Sequence, residues 1–394
     1  MSVVQSVVLG LGAASALAAV HSLVGALRYL GYARRAAARP LPSASAPTRP
    51  QVLLIVPCCG DEDGLSANLE ALLGQEYERL SVRFVVAGPD DGAVPVIGEL
   101  RERYPGRMEL VVAGPGQGHG QKVHNLLAAL AAGPLSEVLA FADSDGRPEP
   151  GWLARLVDEL ARPEVGVAST YRFYRPMPPG FATLLRSVWN LSVLALLGDH
   201  DRNFAWGGSM AIRREVFERA RVRDAWRGAL SDDYALTHAV RRAGLRVAFV
   251  PEVLVGSESA TSLGAVLAWA ARQISITRVY WPLLFRLAAA SSLGSATFLV
   301  LAPIVGGPLH LSLMAAILAL GMTAGGVRAL AVSRLAPQWR AEVRRLLWAY
   351  ALVSPLAGLV TAAGVLRALA SRRIEWRGTR YEMRSPHETL VLGR

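Results

Sequence analysis

Residues 3–27, VVQSVVLGLGAASALAAVHSLVGAL, carry no acidic or basic side chain except His21. A run of this length and polarity is a bilayer-spanning helix, because hydrocarbon tolerates only a backbone that satisfies its own hydrogen bonds. No positive charge precedes it, so a cleaved secretion signal is not expected. Arg28, Arg34, Arg35 and Arg39 follow it. The positive-inside rule then puts the N-terminus outside and the next segment in the cytoplasm. Apolar stretches return near 283–306, 309–331 and 345–369, whereas 40–282 has ordinary soluble composition. The expected organisation is an N-terminal transmembrane helix (1–30), a basic, Pro-rich linker (31–50), a cytoplasmic domain (51–282), C-terminal membrane helices (283–370) and a basic tail (371–394). No internal repeat is visible.

The net charge of +11 comes mainly from arginines beside these apolar stretches, as membrane-flanking bases should. A nucleic-acid binder would instead place a basic face with interleaved aromatics on the soluble part, so no nucleic-acid partner is expected. Cys58 and Cys59 are adjacent, which suits neither a structural disulfide nor a zinc site. They are expected to pack at a strand end in a reducing compartment.

Within the soluble part, short continuous apolar runs alternate with helical patterns. Strands are expected at Val52–Val56, Val82–Val86, Met108–Ala113 and Val138–Ala142, and helices at Leu65–Leu73, Val94–Arg103 and Lys122–Ala132. That alternation argues a parallel sheet covered on both faces, with ligands bound beyond the carboxyl ends of its strands. The polar clusters all fall at those ends: Asp61-Glu62-Asp63, Asp90-Asp91, the glycine loop 114–121 with Lys122, and Asp143-Ser144-Asp145.

The glycine loop GPGQGHGQKVHN is not a P-loop, because Gln121 separates Gly120 from Lys122 and no hydroxyl residue follows the lysine. Nor is it G-x-G-x-x-G, since His119 stands where the third glycine belongs. His119 and His124 read as solvated loop histidines rather than metal ligands. Asp143 and Asp145 end an apolar strand, where unpaired carboxylates are costly and repel each other. A divalent cation removes both problems. Hard oxygen donors suit Mg2+ or Mn2+, which take one or two carboxylates plus substrate phosphates. The alternative is a plain turn, for which Asp, Ser and Gly are good formers.

With these residues in view the chain resembles the membrane glycosyltransferases of family 2 type, nearest the ceramide glucosyltransferase branch. The resemblance is carried by VPCCGDEDGLSANL, GQKVHNL, ADSDG, WGGSMAIRREVF (206–217), LSDDYALTHAVRRAGLRVAFVPE (230–252) and IEWRGTRYEM (374–383), in that order over most of the chain. It implies a GT-A, Rossmann-like mixed α/β sheet and an inverting transfer from a nucleotide-diphospho-sugar, UDP-glucose first. Asp145 and Asp143 would hold the metal. Glu62, Asp90, Lys122 and Asn125 would lie at the donor, and Asp233 would be the general base with Asp232 raising its proton affinity. Asp143, Asp145 and Asp233 are expected to converge around one ion. The branch usually carries Gln/Arg-x-x-Arg-Trp after the base. Here Gln273, Arg278 and Trp281 are spread more widely, so their place at the donor is an expectation from residue type alone.

The acceptor implied is a membrane lipid hydroxyl, as in ceramide, and the setting an integral protein of the bacterial inner membrane. Helices near 181–198 and 262–281 are expected to lie in the interface. Basic residues flank 345–369 on both sides, and Pro355 and Gly358 interrupt it. It is therefore expected to re-enter or lie in the interface, returning Trp376 and Arg377 to the cytoplasmic site. Two rivals are a polysaccharide synthase, which needs more spans, and a non-catalytic scaffold or transporter, which would place ionisable groups within its spans.

Overall fold

The computed structural model describes residues 2–38, 49–60 and 62–393. Half of the expected linker (39–48), and Asp61, lie outside the described residues. The chain begins with α1 (Val3–Ala36), opened by a reciprocal capping box between Ser2 and Gln5. It continues through β1 (Val52–Pro57), α2 (Leu65–Leu73), β2 (Leu80–Val86), α3 (Ala93–Arg103), β3 (Met108–Val112), α4 (Gln121–Ala131), β4 (Val138–Ala142) and α5 (Trp152–Glu159). Then come β5 (Val165–Ser169), β6 (Arg172–Tyr174), α6 (Phe181–Leu194), β7 (Ser209–Arg213), α7 (Arg214–Arg219), α8 (Val222–Trp226), α9 (Asp232–Arg242), β8 (Arg246–Phe249) and β9 (Val255–Ser257). The C-terminal part holds α10 (Leu263–Tyr280), α11 (Pro282–Val305), α12 (Pro308–Leu335), α13 (Arg340–Arg345), α14 (Leu347–Ala370), β10 (Arg373–Trp376), β11 (Thr379–Ser385) and β12 (Glu388–Gly393).

The chain divides into two compact units. The sheet unit comprises Arg39–Phe173, Leu197–Ser257 and Arg373–Arg394. Its main sheet has the order β3-β2-β1-β4-β7-β5-β8. Both faces are covered, as the continuous apolar strands require. Along β1, Val52, Leu54 and Val56 enter one core with α2, α3 and α5, while Leu53 and Ile55 enter the other with α4, α8 and α9. The sheet is mixed rather than all parallel: β7 runs antiparallel to both β4 and β5. This reversal matters for function. The segment WGGSMAIRR is a turn that leads into β7. It starts at the edge where the parallel strands finish, with Ala142 paired to Ser209.

The helical unit comprises Met1–Ala38, Tyr174–Leu196 and Glu258–Arg372. Among the described residues, four helices are long and apolar enough to cross a membrane: α1, α11, α12 and α14. The expected break near Pro355 is absent, and α14 runs unbroken through that proline. The expectation that 181–198 lies flat in the interface meets a different arrangement. Of α6, only Phe181 is exposed, and the helix packs on α10, α12 and α14. Its mid-helix polar residues explain why. Arg186 binds the hydroxyl of Ser259 at 3.0 Å and its carbonyl at 2.7 Å, and stacks on Tyr174 at 4.4 Å. The start of α10 does keep an exposed apolar face, with Leu263 and Leu267.

Candidate active site

Parallel register brings the loops after β1, β2 and β4 to one edge, and the reversal of β7 adds Trp206-Gly207-Gly208. At the end of β4 the Asp143 backbone N–H donates to Gly208 O at 3.3 Å. Ser257 Oγ donates to Asp145 O at 2.9 Å. The loop that carries both carboxylates is thus tied at two points.

Lys122, in the first turn of α4, lies at the centre. Its Nζ is 2.8 Å from Asp143 Oδ1 and 3.0 Å from Asp232 Oδ2, and donates to Gly207 O at 3.1 Å. Burial alone would lower the Lys122 pKa, but Asp143, Asp232 and Asp233 outweigh it and hold the ammonium well above its usual range. Asp232 is itself buried. Desolvation raises its carboxyl, Lys122 pulls it down, and Asp233 and Asp143 push it up, leaving it at about 6. Trp226 Nε1 donates to the Asp232 carbonyl at 2.9 Å and fixes the start of α9.

Asp233 is the more accessible of the pair. Its Oδ1 accepts from Tyr234 N–H at 2.7 Å and from the Ser231 hydroxyl. Its Oδ2 accepts from Gly207 N–H at 3.1 Å. The two glycines have steric reasons. A Cβ at 207 would stand 2.4 Å from Asp232 Oδ2 and 2.7 Å from Lys122 Nζ. One at 208 would stand 2.5 Å from Asp143 Oδ2.

Arg172 opens β6, just past the end of β5, and sequence reasoning missed it. Its Nη1 donates to Asp145 Oδ2 at 2.7 Å, and its Nη2 to Asp145 Oδ1 at 2.5 Å and Asp143 Oδ2 at 3.0 Å. Its guanidinium also lies 4.9 Å over the Trp206 ring. Burial would raise the Asp145 carboxyl, but Arg172 holds it below the usual carboxylate range. A buried arginine in an apolar stretch was the available signal, since such a charge needs a partner.

Glu62 ion-pairs with Arg377, which sits at the tip of the β10–β11 hairpin. Both tip residues have positive φ, Arg377 at 51° and Gly378 at 72°. That is the backbone of a two-residue primed turn, where a long side chain is unusual. The hairpin is anchored by Gln121 N–H donating to Tyr381 Oη at 3.2 Å. At Gly228 a Cβ would meet His387 O at 2.0 Å.

The other expected residues fall in different places. Asn125 is buried and accepts from Gln121 Nε2 at 2.8 Å. Gln121 also reaches Gly114 O and Gly116 N, so the pair shapes the glycine loop. Asp90 is exposed. Its neighbour Asp91 ties the loops together, with Oδ1 accepting from Gly60 N–H at 2.8 Å and Ala93 N–H at 3.0 Å. The histidines are not solvated singly. His124 Nε2 meets Ala113 O at 3.0 Å, which makes it the donor and leaves Nδ1 to accept from His119 Nε2 at 3.1 Å. Cys58 is buried and Cys59 exposed, and neither is in a disulfide among the described residues. Gln273, Arg278 and Trp281 belong to the helical unit. There Arg278 donates to Ala368 O, a last-turn carbonyl of α14.

Among the described residues no three His, Cys, Asp or Glu side chains group as metal ligands. Asp143 and Asp145 stand together, while Asp233 is linked to them through Gly207 and Lys122. Two adjacent carboxylates, with side chains 25% and 35% exposed, still fit a Mg2+ or Mn2+ ion that takes its remaining ligands from phosphate.

A family model described as "Glycosyl transferase family 21" matches residues 14–389. Among solved structures the chain is similar to the mannosyltransferase PcManGT from Pyrobaculum calidifontis in complex with GDP-Man and Mn2+. Identity is 21%, over 91% of this chain and 98% of that one, with a TM-score of 0.47. It is also similar to GalNAc-T7 with UDP, GalNAc and Mn2+, at 11% identity over 63% of this chain and 52% of that one, with a TM-score of 0.42.

Proposed function

From the premise that the chain belongs to glycosyl transferase family 21 and so is a glycosyltransferase, we propose that it transfers glucose from UDP-glucose to the hydroxyl of a membrane lipid such as ceramide, with inversion. The observation that carries this reading is the chain Asp143–Lys122–Asp232, with Asp233 beside it, at the edge of the sheet where ligands bind.

Each residue has a task in this reading. Asp143 and Asp145 would hold Mg2+ or Mn2+, which when bound neutralises the charge growing on the leaving diphosphate. Lys122 keeps its ammonium charged and fixed between two carboxylates, so its position needs no reorganisation during reaction. Asp233 Oδ2 has one hydrogen bond, from Gly207, and keeps a lone pair to accept the proton of the acceptor hydroxyl. Asp232 pins Lys122 and is a positioning residue rather than a second base. One base used once means one displacement and an inverted product. Arg377, at a strained turn and paired with Glu62, would contact the donor.

A lipid acceptor requires the site to face a membrane leaflet, which in this reading is the cytoplasmic one. Ser257 and Arg373 both lie in the sheet unit, so the helices between them return the chain to the side it left. An even number must cross. α11 and α12 make one such pair across Gly306-Gly307. α10 carries Arg272 and Arg278 and is not among the candidate spans. In this reading α14 does not cross but lies along the membrane. Its exposed Trp348, Leu352, Leu359 and Leu366 share one helical face, and basic residues flank both ends.

Membranes incubated with radiolabelled UDP-glucose, and separately with other nucleotide sugars, plus lipid extract test the assignment. Label in a glycolipid from UDP-glucose is expected. Label from another donor only, or in a polymer, would replace this reading.

A further inference from the structure

All four carboxylate oxygens of Asp143 and Asp145 are already engaged by side-chain cations. Asp143 Oδ1 faces Lys122 at 2.8 Å. Asp143 Oδ2 and both oxygens of Asp145 face Arg172 at 3.0, 2.5 and 2.7 Å. The Arg172 side chain is 7% exposed, and its flat face is backed by Trp206. A planar fork gripping one carboxylate at both oxygens and a second at one is among the stronger charge-assisted arrangements a protein makes.

Resting on the metal reading above, we infer that Arg172 is an internal competitor of the divalent cation. Guanidinium and metal compete for the lone pairs of the same oxygens and repel each other, so the ion loosens the hold of Arg172 on at least one carboxylate. Two consequences follow. Arg172 holds Asp143 and Asp145 in place and neutralised, so two adjacent carboxylates persist at a buried strand end. It also keeps the affinity for the bare ion low, so that metal loads together with the diphosphate, whose negative charge compensates for the guanidinium that remains.

The test is Mn2+ binding to the purified full chain without nucleotide, read by electron paramagnetic resonance of free Mn2+. Arg172→Met removes the charge and keeps much of the side-chain length. Arg172→Lys keeps a charge but loses the fork, and it decides alone if the methionine variant does not fold. The expected result is tighter binding, by roughly tenfold for Arg172→Met and less for Arg172→Lys. A merely structural arginine would give unchanged or weaker binding, since its loss would disorder the carboxylates. Mn2+ binding by the wild type that neither variant tightens overturns this inference alone. Mn2+ binding by none of the three, even when UDP is added, removes the metal reading as well.

Discussion

Asp143 and Asp232, one at a strand end and the other at a helix start, share the single ammonium of Lys122 at 2.8 and 3.0 Å. Removing that cation leaves a buried carboxylate uncompensated. Lys122→Met should therefore cost about 3–5 kcal/mol of stability and abolish transfer. Adding Asp232→Asn should restore part of the stability but none of the activity. Chemical denaturation in detergent micelles, run as a double-mutant cycle, measures the coupling.

Gly207 is held to glycine by its neighbours. In Gly207→Ala the new Cβ must push Asp232 Oδ2 and Lys122 Nζ aside from 2.4 and 2.7 Å. It also disturbs the N–H that binds Asp233. Turnover should fall by about 10²-fold or more, as misplacing a catalytic group by an ångström does, while nucleotide affinity changes little. Steady-state kinetics beside nucleotide titration separates the two.

Asp232 gives the protein a signature in its pH dependence. Its folded carboxyl is raised to about 6, so between the ordinary carboxylate range and that value the folded state binds more protons than the unfolded. Stability must then fall as pH rises through this window, and the contribution is fully present only below it. Asp232→Asn should flatten that slope between about pH 4 and 6. Thermal melts of both proteins across the window check the sign.

The C-terminal hairpin should share a side with the catalytic cluster, because Tyr381 and Arg377 bind Gln121 and Glu62 within one unit. In sealed right-side-out vesicles an external protease should leave the tail intact. In inverted vesicles the tail should be trimmed. Trimming from outside would mean that α14 crosses and that the hairpin contacts do not form.

Much of this arrangement was legible in the residues. Continuous apolar runs such as Val138–Ala142 give buried strands directly, and their polar ends mark the ligand edge. Asp143, Asp145 and Lys122 lie at that edge, beside Asp232, whereas the Asp232-Asp233 pair was offered only by the family resemblance. The direction of β7 was not legible, because SMAIR reads the same in either sense and its partners are distant in sequence. Arg172 was missed, and Asp90 was preferred to its neighbour Asp91, for a related reason. Each acts through side-chain bonds to another loop, and local pattern carries no trace of such partners. α6 misled because its apolar composition fits a lipid-facing helix as well as one packed among helices. Its contacts with Ser259 and Tyr174 show where Arg186 goes.

The central claim is metal-dependent transfer at Asp143 and Asp145. The most direct measurement is transfer of labelled glucose from UDP-glucose to ceramide in vesicles, as Mn2+ is titrated against a chelator, for wild type and Asp145→Ala. Wild-type transfer should rise with Mn2+ and vanish with chelator, and Asp145→Ala should transfer no label while still inserting in the membrane. Transfer by Asp145→Ala at the wild-type rate, or wild-type transfer indifferent to chelator, would contradict it.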